Sequence, residues 1–315
     1  MTRHPILTVA LVLVAGAGIV VAAFWAPDRP LETLAPRWAP PPSTFRTIDG
    51  VAIHLRDEGP RDDATPVLLL HGTSASLHTW EGWVDSLRPT RRVITLDLPG
   101  FGLSGRTPRD DYSVARMSRL LLAVLDTLGV RRAIVGGNSL GGRLAWGLAA
   151  TDSSRVAGLI LVDAAGYPSQ PTSVPIGFKL ARTPGVRRIA SRLLPRSVIE
   201  SSLRNVYGDP SRVTPALVDR YYAMAVREGN RDALLARFRG FGSRSDTLAL
   251  RGLRIPTLIL WGARDRLIPP GDAARFARDL AGSQVVMFPT LGHVPHEEDP
   301  VATIAPVLAF IRARP

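Results

Sequence analysis

From about residue 50 to the C-terminal end, short runs rich in Val, Ile and Leu alternate with longer segments whose apolar residues recur at helical spacing. The runs at 51–56, 67–70, 93–96, 133–136, 159–162, 257–260 and 285–288 predict strands. Several are apolar throughout, as expected of strands covered on both faces. Helical periodicity predicts helices near 79–87, 113–128, 140–150, 272–280 and 301–313. Such alternation is the signature of an α/β fold with a mostly parallel sheet and crossover helices on both faces. It lapses between about 168 and 250. There the chain is a string of short, arginine-rich helical pieces separated by Pro171, Pro175, Pro184, Pro195, Pro210 and Pro215, with no strand-like run. A helical cap over 168–250, inserted between two parts of one sheet at 45–167 and 251–315, accounts for the lapse.

The N-terminal end follows a different pattern. Residues 6–25 carry no charged side chain, and about twenty helical residues span roughly 30 Å of hydrocarbon. This predicts a transmembrane anchor. The competing reading is a cleaved signal segment, with Val21, Ala22 and Ala23 as the small residues of the cleavage site. Arg3 precedes the span, so the positive-inside rule keeps the N-terminus cytoplasmic and the body on the outer side, periplasmic or extracellular. Signal cleavage would instead release a secreted protein. Six prolines between Pro27 and Pro42 suit an extended linker over 26–44.

Composition closes off several chemistries. The 315 residues contain no cysteine, which excludes thiol catalysis, cysteine-ligated metal and disulfides. Lys179 is the only lysine, and no Gly-rich loop leads into it, so a phosphate-binding loop is absent. The net charge is +12, and residues 168–250 supply fourteen basic and six acidic side chains of it. A basic cap on a tethered body suits contact with anionic lipid headgroups, and it equally suits a solvated, arginine-biased face. The cap lacks interleaved aromatic residues for base stacking, so no nucleic acid partner is expected.

The most informative stretch is Gly137-Asn138-Ser139-Leu140-Gly141-Gly142, a Gly-x-Ser-x-Gly pattern between a buried strand and an amphipathic helix. A serine in so sharp a strand-to-helix turn is strained and exposed, and its neighbours must be glycine because a Cβ would clash across the turn. The plainer alternative is a helix N-cap serine. A serine hydroxyl needs an imidazole to take its proton and a carboxylate to orient that imidazole. Both candidates lie in loops that follow downstream strands: Asp265 after Trp261-Gly262, and His293 after Gly292.

Taken together these segments resemble the α/β-hydrolase superfamily from about residue 45 onward, in which nucleophile, acid and histidine occur in this order. His71-Gly72 after one strand and Asp97-Leu98-Pro99-Gly100-Phe101-Gly102-Leu103-Ser104 after the next add to the resemblance. It implies an eight-stranded, mostly parallel sheet with a cap, and catalytic Ser139, Asp265 and His293. It also implies an oxyanion hole from the backbone N–H groups of Thr73 and Leu140, with no cofactor and no metal. Asp163 is the alternative acid, since some relatives carry it after that strand; otherwise it caps the loop into the cap. His71 is expected to bond its own loop, and Asp97 to shape the turn. Asn138 receives no chemistry. His296 and Glu297 suggest a metal site only if one helix presents both, and Pro295 is expected to break such a helix.

The function expected on this basis is a membrane-tethered serine hydrolase of the carboxylesterase or lipase kind, acting on an apolar small-molecule ester or related acyl substrate. Phe178, Tyr207, Tyr221, Tyr222 and Phe238 are candidate cap residues lining the pocket, or cap core. An alternative is carbon–carbon bond hydrolysis of dienoate ring-cleavage products, whose elbow Gly-Asn-Ser-x-Gly-Gly resembles. Those enzymes typically place tryptophan after the catalytic histidine, where this chain has Val294. Dehalogenases and epoxide hydrolases resemble the chain in sheet and cap but use an aspartate nucleophile, which Ser139 opposes. A cofactor-free perhydrolase is compatible with the same three residues. From another class, a non-catalytic, membrane-tethered binding protein on this fold would have no need of all three.

Overall fold

A computed structural model describes residues 15, 16, 18, 21, 22, 24–168, 170–183, 193–240 and 247–313. Eight strands form one sheet: β1 (Thr44–Ile48), β2 (Val51–Glu58), β3 (Val67–Leu70), β4 (Val93–Leu96), β5 (Ala133–Asn138), β6 (Val156–Val162), β7 (Thr257–Gly262) and β8 (Gln284–Phe288). Their order is β1-β2-β4-β3-β5-β6-β7-β8. The first two pairings are antiparallel and the rest parallel. Seven strands fall on the predicted runs. The eighth, β1, was not marked by pattern: four of its five residues are exposed, so it carries no apolar run and owes its conformation to the ladder with β2.

Strand alternation sends side chains to two apolar layers. Leu68, Leu70, Val135, Leu161 and Ile259 meet the helices Val114–Thr127 and Leu140–Thr151 on one face. Val67, Leu69, Ile134, Ile160 and Leu260 meet Trp80, Trp83, Val307 and Phe310 on the other. The helix predicted at 79–87 divides into a 3₁₀ turn, Leu77–Trp80, and an α-helix, Glu81–Leu87. Ser113 caps Val114–Thr127 by accepting from the Arg116 N–H, as an N-cap serine does.

Between β6 and β7 the described residues form helices and no strand: Ile176–Arg182, Arg196–Val206, Pro215–Ala225, Asn230–Gly240 and Leu248–Gly252. Leu250 is already part of the core layer. Much of this segment's positive charge is engaged internally. Arg196 pairs with Asp219, Arg204 with Glu200, Arg220 with Glu297 and Arg231 with Asp28.

The N-terminal segment departs from the extended linker expected there. Leu31–Trp38 is a helix, and Leu34 is buried against Leu103, Ala223 and Met224. Pro36 lies inside this helix, yet burial of the apolar stripe outweighs its local cost. Upstream, Trp25 bridges to Leu193, and Leu194 donates its N–H to the Phe24 carbonyl at 3.1 Å. The Arg29 N–H bonds the Val226 carbonyl at 2.7 Å, and the Glu228 N–H bonds the Arg29 carbonyl at 2.9 Å. Residues 24–38 are thus stitched along the helical insertion. Among the described residues no helix is long and apolar enough to cross a membrane; the span predicted at 6–25 lies largely outside them.

Candidate active site

The end of β5 runs directly into the helix Leu140–Thr151, and Ser139 occupies the turn with φ 53° and ψ −114°. That backbone is rarely adopted by side chains other than glycine, and it persists only where the surroundings enforce it. Enforcement comes from close packing. A Cβ on Gly141 would stand 2.0 Å from the Leu70 carbonyl oxygen, and one on Gly137 would stand 2.3 Å from Gly141. The Ser139 N–H bonds the Val162 carbonyl and its own carbonyl accepts from Ala165 and Arg143, each at 3.0 Å. The serine is therefore fixed at the C-terminal edge of the parallel strands, and is 8% exposed.

His293 and Asp265 reach the same edge from the loops after β8 and β7. His293 Nδ1 donates to Asp265 Oδ2 at 2.7 Å. Asp265 Oδ1 accepts the Leu267 and Ile268 N–H groups at 2.7 and 2.9 Å, so both carboxylate oxygens are held by N–H donors. Gly262 lets the two loops touch, since a Cβ there would lie 2.0 Å from the Gly292 carbonyl oxygen. The Ser139 hydroxyl makes no hydrogen bond to His293. The serine turn and the histidine loop are joined through Asn138, whose Nδ2 donates to the His293 carbonyl at 2.9 Å and the Val162 carbonyl at 3.2 Å. Asn138, to which the sequence assigned no chemistry, thus ties the His293 backbone to the Ser139 turn. Its position within the elbow was the available signal.

Thr73 lies beside the turn, because a Cβ on neighbouring Gly72 would come within 3.3 Å of the Ser139 Cβ. Leu140 is the first residue of its helix, where an N–H has no intrahelical partner. The His71 ring bonds backbone on both sides: Nδ1 to the Gly72 carbonyl at 2.7 Å, Nε2 to the Leu98 N–H at 2.9 Å. Since Nε2 accepts, the proton sits on Nδ1. Burial pushes His71 below its ordinary value, against the pull of the Asp97 charge. Asp97 accepts from the Leu77 N–H, the Leu103 N–H and His54 Nδ1, each at 2.7 Å. Burial alone would raise its carboxyl, but the neighbouring His54, His71 and His78 hold it far below the usual carboxylate range.

Pro295 begins a short helix, Pro295–Glu298, where the sequence predicted a break; at the first helical position a proline forfeits no intrahelical bond. His296 and Glu297 nonetheless diverge. His296 Nε2 meets Thr79 Oγ1 at 3.1 Å and its ring packs 4.0 Å from Trp80. Glu297 accepts from the Tyr221 and Tyr207 hydroxyls at 2.8 and 3.2 Å and pairs with Arg220. Burial, with the Glu297 charge next, raises both tyrosines above their ordinary value. Glu298 accepts the Gly208, Asp209 and Gly292 N–H groups at 3.0, 2.7 and 2.8 Å. The two glutamates therefore clamp the helical insertion to the loop that carries His293. Tyr207 is buried with Leu203, Val213, Val218 and Val294, and Phe178 stands edge-on to Phe238 at 5.5 Å.

Among the described residues, the one grouping with metal-ligand proximity is Asp163, Asp265 and His293, whose donor atoms lie within 4.8 Å of one another. Its oxygens are already committed to N–H donors except Asp163 Oδ2. A divalent cation has a single free ligand atom there, which does not fit the multidentate sites such ions require.

The family model described as alpha/beta hydrolase fold matches residues 65–300. The chain is 30% identical over 257 residues to the dihydrolipoyllysine-residue acetyltransferase component of the acetoin cleaving system of Pseudomonas putida, spanning 80% of this chain and 64% of that protein. It is 30% identical over 267 residues to a 2-hydroxymuconate semialdehyde hydrolase of Pseudomonas putida, covering 82% of this chain and 90% of that one. Among solved structures, a membrane phospholipase A described as a bacterial virulence factor superposes with a TM-score of 0.73 at 25% identity. That match covers 99% of each chain.

Proposed function

The chain belongs to the α/β-hydrolase fold family, and from that premise we propose that it is a serine hydrolase cleaving carboxylic esters with apolar acyl groups through an acyl-enzyme. The observation that carries this reading is the strained Ser139 turn tied by Asn138 to a histidine whose Nδ1 is held by a buried carboxylate. In the proposed cycle Ser139 Oγ attacks the ester carbonyl and its proton passes to His293 Nε2. The oxyanion is received by the Thr73 and Leu140 N–H groups, each such donor contributing about 2.7–4 kcal/mol in comparable sites. His293 returns the proton to the leaving alcohol. Water then attacks the acyl-enzyme, giving its proton to His293, and Ser139 leaves with that proton as the acid is released.

The similarity over 99% of each chain to a membrane phospholipase A supports an acyl lipid or a similar apolar ester as substrate; a single-pass anchor at 6–25 with the body on the outer side is part of the same proposal. Because residues 24–38 run along the helical insertion, an anchor there would hold that insertion against the bilayer. Contact of its basic face with anionic headgroups is part of the same proposal. The 30% identity to a 2-hydroxymuconate semialdehyde hydrolase favours the carbon–carbon hydrolase as the second reading. Val294, buried under Tyr207, stands where those enzymes place tryptophan.

Labelling with a fluorophosphonate that disappears in Ser139→Ala tests the nucleophile; a folded protein that never labels overturns it in favour of a binding role. Aryl esters and phospholipids of increasing chain length, run beside a dienoate chromophore, separate the two hydrolase readings. A C-terminal reporter active only in the cytoplasm would overturn the topology.

A further inference from the structure

Asp163 belongs to the buried cluster, yet the cycle above leaves it unused. It follows β6 at φ 43°, a left-handed backbone that Asp and Asn tolerate better than most side chains. Its side chain is fully buried. Oδ1 accepts the Gly262 N–H at 3.0 Å, while no N–H donor reaches Oδ2, and the carboxyl's side-chain hydrogen-bonding neighbour is Asp265. Oxygens of Asp163 and Asp265 and a ring nitrogen of His293 all lie within 4.8 Å of one another.

Two carboxylates so close, in an interior closed to water, do not both carry charge. The donors decide which one does. Asp265 receives three N–H groups, from Leu267, Ile268 and His293, whereas Asp163 receives one. The charge therefore belongs to Asp265 and the proton to Asp163. Resting on the serine-hydrolase reading, we propose that Asp163 is a positioning residue: a protonated carboxyl behind the Asp265–His293 pair that becomes the orienting carboxylate when Asp265 is neutralised. Burial first, then the charge and the hydrogen bond of Asp265 and more weakly the Glu298 charge, hold its carboxyl well above the usual range, while the Gly262 N–H opposes them. In the intact enzyme its proton stays in place throughout the cycle, and the serine proton moves only through His293 Nε2.

The test is a double-mutant cycle on the rate of fluorophosphonate labelling, which needs no knowledge of the natural substrate. Asn suits the left-handed backbone of position 163, so Asp163→Asn is expected to fold and to cost about threefold. Replacing an orienting aspartate by asparagine typically costs ~10⁴-fold; Asp265→Asn is expected to lose only ~10²-fold, with the remaining rate rising with pH as Asp163 ionises. Asp163→Asn/Asp265→Asn should fall at least about thirtyfold below Asp265→Asn and lose that pH dependence, a non-additivity that marks groups acting as a unit. Equal factors for Asp163→Asn in both backgrounds mean that the residue only shapes its loop, and overturn the proposal. A full ~10⁴-fold loss in Asp265→Asn alone overturns it as well, without any change at position 163. A parent protein that never labels refutes instead the serine-hydrolase reading beneath it.

Discussion

Removing the Asn138 amide should loosen His293 more than it loosens the fold. The side chain is 1% exposed, and its Nδ2 bonds the carbonyls of His293 and Val162. In Asn138→Ala the Val162 carbonyl keeps the Ser139 N–H at 3.0 Å, while the His293 carbonyl is orphaned in the interior. A buried bond contributes about 0.5–1.5 kcal/mol net, and an orphaned buried acceptor costs about 1–3 kcal/mol. The expected destabilisation is therefore about 2–3 kcal/mol. Catalysis should suffer more, because a 1 Å displacement of a catalytic group costs on the order of 10²-fold. Asn138→Asp keeps the volume but aims a carboxylate oxygen at two carbonyl oxygens, so it should be worse than alanine in both respects. Urea unfolding followed by the fluorescence of the buried Trp80, Trp83, Trp146 and Trp261 reads stability, and fluorophosphonate labelling reads the site. An Asn138→Ala protein that unfolds within about 0.5 kcal/mol of the parent and labels within about threefold of it, or an Asn138→Asp protein that matches the parent, would refute this role of the amide.

Acid should destabilise the fold well above the range in which carboxylates titrate. Burial depresses His71, His296 and His78, the last to about 4, so each is neutral when folded and takes up a proton near 6.5 when unfolded. Their contribution is complete above pH 6.5 and is lost as pH falls toward 4, at up to about 1.4 kcal/mol per unit and per histidine; a urea midpoint constant from pH 8 to 5 would contradict this. Leu34→Ala should cost about 2–5 kcal/mol of local stability and speed amide exchange at Arg29 and Glu228, with unchanged protection counting against the docking of the N-terminal segment. Gly262→Ala forces a Cβ onto the Gly292 and Leu291 carbonyls at 2.0 and 2.5 Å. It should destabilise by about 3 kcal/mol or more and abolish labelling, and a stable, active variant would show that the two loops can part freely.

Much of the core was legible because its signals are local. The runs 67–70 and 93–96 coincide with β3 and β4, since a strand covered on both faces must be apolar along its whole length. The turn at Ser139 was legible for a different reason: glycines are demanded at 137 and 141 wherever backbones approach so closely. Where the local signal contradicted the packing, the packing prevailed. Six prolines around Leu31–Trp38 spell a spacer, but Leu34 finds a buried site between the insertion and Leu103. Pro295 looks like a break and serves as a helix start.

The amino-acid order by itself determined the strand–helix alternation and the turn at Ser139, and it marked Asp265 and His293 as candidates, because each signal rests on residue types within a few positions of one another. Only the tertiary structure decided that Asn138 binds the His293 backbone, that Glu297 and Glu298 clamp the insertion, and that Asp163 shares a buried volume with Asp265. Those contacts join residues far apart in the chain, and their energies depend on burial and on which donors converge at one sheet edge, quantities that exist only once the chain has folded.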